Sequence, residues 1–115
     1  LGFISDYSSV PFLISLLDDE EPNIRWDAAI GLAKMRSTAS VPTIINLMDR
    51  EYLMMFPELD QNEITSVILT AIETTSLMSV DEFEPNLVAL AKSDESLKVR
   101  DAAIKSLKKN YNKVI

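Results

Sequence analysis

The chain has 115 residues, 47% hydrophobic and 25% charged, the proportions of a chain able to bury an ordinary core. It holds no Cys and no His, which excludes disulfides, thiolate chemistry, Cys/His zinc sites and imidazole acid–base catalysis. The net charge is −7 and unevenly placed: residues 1–96 carry 17 acidic and 5 basic side chains, whereas residues 97–115 carry six cations against Asp101. The acidic body should repel phosphate backbones, so nucleic acid is not an expected partner. No apolar run approaches the roughly 20 residues of a spanning helix, so membrane insertion is not expected either.

In chain order, the opening Leu1-Gly2-Phe3-Ile4-Ser5-Asp6 lines up with Leu32-Ala33-Lys34-Met35-Arg36-Ser37. It reads as the end of a second helix from an earlier helix pair, residues 1–7. With no initial Met, the chain is expected to be a slice of a longer array, with flanking repeats on the parent chain.

Val10, Leu13, Ile14, Leu16 and Leu17 then form an apolar face at steps of three and four, with Pro11 in the first turn, predicting a helix near 9–18. Ile24, Ala28, Leu32 and Met35 predict a second helix near 22–36, entered through Glu20, Glu21 and Pro22. Val10-Pro11-Phe12-Leu13-Ile14-Ser15-Leu16-Leu17-Asp18 recurs 31 residues later as Val41-Pro42-Thr43-Ile44-Ile45-Asn46-Leu47-Met48-Asp49. It recurs more weakly from Glu84-Pro85 to Lys92. These are first helices, near 9–18, 40–49 and 84–92.

The second helices repeat too. Ile24-Arg25-Trp26-Asp27-Ala28-Ala29, followed by Leu32, matches Val99-Arg100-Asp101-Ala102-Ala103-Ile104, followed by Leu107, at a shift of 75. Ile64, Ile68 and Ile72 hold the same register at a shift of 40, predicting second helices near 62–77 and 97–112. The excess of nine residues in the second pair falls within Arg50 to Gln61. The domain reading is one unit over 1–115, with repeats roughly at 8–37, 38–78 and 79–115.

These residues resemble the HEAT repeat family, in its HEAT-like, phycobilin-lyase-type variety. The resemblance is carried by Val10-Pro11, the acidic turn Asp18 to Pro22, Ile24-Arg25, Ala28-Ala29 and Leu32, and again by Val99-Arg100, Ala102-Ala103 and Leu107. The second repeat departs from it, lacking the Arg and both Ala and carrying Thr65, Val67 and Ile68 instead. The resemblance implies an all-α, right-handed α-solenoid of the armadillo type, three helix pairs plus a leading helix stub. It implies a protein–protein interaction scaffold without enzymatic activity. The alternative it raises is a regulatory or chaperone-like subunit of a modifying enzyme such as a phycobilin lyase. The repeat arginines are expected to reach Asp in a neighbouring turn: Arg25 with Asp18 or Asp49, and Arg100 with Asp94.

No cofactor or metal site is expected. Asp18-Asp19-Glu20-Glu21 lacks the spacing and central Gly of a calcium loop. Asp81-Glu82-Phe83-Glu84 reads as a solvated turn. There is no nucleophile-and-base pair and no Gly-rich phosphate loop. The basic segment 97–113 reads as the solvated face of a last helix, its cations suiting the dipole. The expected partner-binding residues are Arg25 and Trp26 on the inner surface of a second helix, and Tyr52, Met54, Met55 and Phe56 in the insert. Met and aromatic side chains there make an adaptable apolar patch. Packing of Trp26 between second helices, and folding of the insert back over the core, are the structural alternatives.

Overall fold

Proline and apolar spacing set where the helices begin and which side they bury. The computed structural model describes residues 9–115, and within them all regular structure is helical. The expected helix end at 1–7 lies outside the described residues. Six longer helices form three pairs: α1 (Ser9–Leu16) with α2 (Pro22–Lys34), α3 (Val41–Leu47) with α5 (Gln61–Thr75), and α6 (Glu84–Ser93) with α7 (Leu97–Tyr111). Every bound falls within two residues of its sequence expectation. A one-turn helix, α4 (Arg50–Leu53), lies between α3 and α5, and was not expected.

Pro stands in the first turn of α2, α3 and α6, where no intrahelical N–H is lost. Helices α3 and α6 are entered through short 3-10 turns, Thr38–Ser40 and Asp81–Phe83. The second turn was expected to be solvated, yet Phe83 is buried at 1% exposure. Asp60 caps α5 through a reciprocal box, accepting from the Glu63 N–H at 2.8 Å while Glu63 accepts from the Asp60 N–H at 3.0 Å. Helix α2 ends with Arg36 at φ 61°, its N–H bonded to Ala33 and the Ser37 N–H to Leu32. This left-handed stop usually falls to Gly.

Helices α2, α5 and α7 neighbour one another in series, and α1, α3 and α6 each pack on their own partner. The core runs along this seam. Leu32, Ile44, Leu47, Ile64, Ile68, Leu87, Val99 and Leu107 are all within 1% of full burial. The small residues of the repeat motif sit at the close approaches: Ala28, Ala29, Ala71 and Ala103 are buried. At Gly31 an added Cβ would meet Leu13 of α1 at 3.4 Å, an ordinary van der Waals contact. The last helix is tied down by the Tyr111 hydroxyl, which donates to the Val80 carbonyl at 2.6 Å. Burial, together with the charges of Glu84, Asp81 and Glu82, pushes the Tyr111 hydroxyl up to about 12.

Candidate partner-binding surface

Asp49 begins the insert by capping α4: its carboxylate accepts from the N–H groups of Glu51 and Tyr52. One turn of helix then drops Leu53 into the core at 0% exposure. Phe56 and Leu59 follow as half-buried residues packed against that core, closed by backbone bonds from the Phe56 N–H to Leu53 and the Leu59 N–H to Phe56. The insert is therefore anchored at both ends, and its middle faces outward. Met54 is 55% exposed and Met55 69%.

The insert also carries an aromatic chain. The Phe56 ring stands edge-on to Trp26 of α2, with centroids 5.2 Å apart and planes at 81°. Tyr52 meets Phe56 at the same centroid distance and 64°. Such edge-to-face pairs add roughly 0.5–1.5 kcal/mol each beyond the area they bury. So the fold brings Trp26, Tyr52 and Phe56 together, from two segments separated by a whole helix.

Trp26 is 7% exposed. It packs against the insert and lines the cleft between α2 and α5 with Asn23, Ser66 and Val67. Its Nε1–H is buried without a hydrogen-bond partner. Arg25 points away from this group. Its Nη1 donates to the carbonyl oxygens of Asp19 at 2.8 Å and Glu20 at 3.2 Å, closing the α1–α2 turn.

That geometry corrects the expected arginine ladder. Arg25 takes backbone carbonyls of its own turn, not the carboxylate of Asp18 or Asp49. Arg100 does not hold Asp94 by a hydrogen bond, and its Nε is buried without a partner. Asp94 is taken by Arg50 instead, through two parallel bonds, Nε to Oδ1 and Nη2 to Oδ2, both 2.9 Å. The same guanidinium donates to Gln61 Oε1 at 3.0 Å and to Thr65 Oγ1 at 3.2 Å. Thr65 occupies the register position that is Arg25 in the first repeat and Arg100 in the third. The second repeat thus keeps a guanidinium near its motif position, supplied from the insert.

The pair is nearly dry, with side-chain exposures of 10% for Arg50 and 3% for Asp94. Burial pushes the Asp94 carboxyl up. Hydrogen bonds from Arg50 and the Ser96 N–H, with the charges of Arg50 and Arg100, outweigh it and hold the carboxyl below its ordinary value. Arg50 is raised above its ordinary value, first by the bond to Asp94.

Sequence reasoning missed Arg50 because the repeat alignment places it in the segment that holds the insertion, outside the repeated motif. The available signal was the loss of Arg at position 65 with a new Arg at the start of the extra residues.

The family model of HEAT repeats matches residues 1–52. Residues 1–52 belong to the HEAT repeat family. The match spans the first helix pair, the first helix of the second and the opening of the insert, and so includes Arg25, Trp26, Arg50 and Tyr52. Comparison with curated proteins and with solved structures gave no match. Among the described residues, no helix is long and apolar enough to cross a membrane. No three acidic side chains among them gather as a metal site would require.

Proposed function

We propose that this chain is a non-enzymatic protein–protein interaction scaffold, its helix pairs stacked as a right-handed solenoid of the armadillo type. The observation that carries the reading is the insert. It carries two exposed methionines, unlike the buried Met48 and Met78, in the same short segment as Tyr52 and Phe56, whose rings pack edge-on with each other and with Trp26 of α2. A flexible thioether side chain on a fixed support adapts to a partner surface at low ordering cost. HEAT repeats in general serve such roles, which adds weight without naming a partner. Met54 and Met55 are the direct contacts in this reading, with Tyr52, Phe56 and Trp26 shaping the patch and Arg25 holding the α1–α2 turn beside it. The stack also offers its end helices to further repeats.

The test is affinity capture by the chain and by a Met54→Asp/Met55→Asp variant, with Leu97→Asp as a control at an exposed residue elsewhere. The double variant is expected to keep its helical circular dichroism and melting temperature and to lose the specific partner, whereas the control retains it. Equal capture by all three would overturn the assignment.

A further inference from the structure

The cleft between α2 and α5 is chemically one-sided. Two adjoining hollows, about 250 and 420 Å³, share Asn23, Trp26, Ser66 and Val67. Their floor is apolar, formed by Trp26, Val67 and Ile30 on the inner side and Leu59 at the outer end. The charged side chains that line them are Asp27, Asp60 and Glu63, with no Lys or Arg. None of these carboxylates forms an ion pair among the described residues, where the pairs are Arg50–Asp94, Lys105–Asp101 and Lys113–Glu84. Trp26, which lines both hollows, is 7% exposed, and its indole N–H is buried without an acceptor among the described residues. The acidity does not continue along the layer. The positions of α7 equivalent to Asn23 and Ile30 are Lys98 and Lys105.

We infer that the α2–α5 cleft binds a short extended, basic segment of a partner protein. A Lys or Arg side chain lies against Asp27 and Glu63, an apolar neighbour rests on the Trp26–Val67 floor, and the segment stops short of α7, whose lysines repel it. Carboxylates without a salt-bridge partner beside an apolar lining, two of them with one oxygen already on the α5 capping box, favour a cation on an aliphatic stem, because the stem buries area while the head meets the charge. An acidic peptide or a phosphate backbone is repelled there. This inference rests on the scaffold reading and names the chemistry of the partner, and it concerns a cleft that shares Trp26 with the insert but is not lined by Met54 or Met55.

The experiment titrates the full chain into fluorescein-labelled short peptides alternating arginine with leucine, or glutamate with leucine, at physiological salt. Binding is read by anisotropy and by the emission of Trp26, the one Trp of the chain. The arginine peptide should bind and shift that emission, and the glutamate peptide should not bind. Asp27→Lys should weaken binding by about tenfold or more, as loss of a facing charge pair does. Asp18→Lys changes net charge equally but lies in the α1–α2 turn, and should stay within about twofold.

Equal weakening by both variants reduces the effect to net charge and overturns the site. So does absence of arginine-peptide binding, or binding with unchanged Trp26 emission. Self-association that shifts Trp26 emission without peptide gives the cleft to a second copy and also overturns it. Loss of partner capture in Met54→Asp/Met55→Asp is unaffected by these results, so the two readings fail separately.

Discussion

At the scale of single residues, arginines in unusual places do most to shape this chain. Arg36 sits at φ 61° with no side-chain hydrogen bond among the described residues to favour that conformation, and an L-residue pays about 1 kcal/mol or more there. Arg36→Gly should therefore stabilise the protein by about 1 kcal/mol, offset in part by the freer unfolded chain, and read as a higher denaturant midpoint at constant slope. Asn112, also left-handed at φ 51° beyond α7, is a residue type that tolerates the conformation, so Asn112→Gly should change little. Arg50 is the opposite case. Removing one partner of a nearly dry, doubly bonded pair leaves an unmatched charge, and Arg50→Met should cost about 3 kcal/mol, the low end for buried pairs because a cleft opens beside it.

The Arg50–Asp94 pair also makes a pH prediction with a definite sign. The Asp94 carboxyl lies below its ordinary value in the folded state, so the unfolded chain binds the proton first. Its stabilisation is complete above the unfolded value, about pH 4, and is lost as pH falls through the folded value. Acid unfolding of Arg50→Met should be shallower in that window than that of the parent chain. A parallel slope would remove the pair from the cause.

Among the elements, α5 and the insert depend on each other. The capping box at Asp60 and Glu63 ends the insert and starts the longest helix of the second pair. Asp60→Ala should lose about 1 kcal/mol by thermal melting, and hydrogen exchange should localise the loosening to the first turn of α5 and residues 56–60. Arg50 ties the start of the same segment to the α6–α7 turn. If its guanidinium stands in for the missing motif arginine, Thr65→Arg should restore part of the stability lost in Arg50→Met. Thr65→Met in the same background should restore none. Rescue by both would point to simple packing at position 65.

At the scale of the whole molecule, the main contacts of each helix pair among the described residues are with the adjacent pair, and α5 is the middle member of the α2–α5–α7 row. Ile68 is fully buried at the centre of that member. Ile68→Ala should cost about 3 kcal/mol and broaden unfolding into two steps, since the outer pairs would lose their shared support. A single sharp transition would mean that the outer pairs hold each other directly.

Helix positions and faces were legible in the sequence because apolar spacing and Pro placement are local signals. Ala28 and Leu32, and their counterparts Ile68, Ile72 and Ala103, Leu107, repeat one buried face, continued by Ile64 and Val99 but not by Ile24, which is 39% exposed. The HEAT family followed from the same residues.

What only the tertiary structure decided is how side chains from distant segments meet. Trp26 and Phe56 lie 30 positions apart, and no periodicity says that one ring stands edge-on to the other. Arg50 and Asp94 lie 44 positions apart, and the motif pointed to Arg100 for that carboxylate. The reason is physical. Burial is rewarded by area and is nearly indifferent to partner, so pattern alone reveals it. Hydrogen bonds and ring contacts are rewarded by distance and angle, and these exist only once the helices are packed.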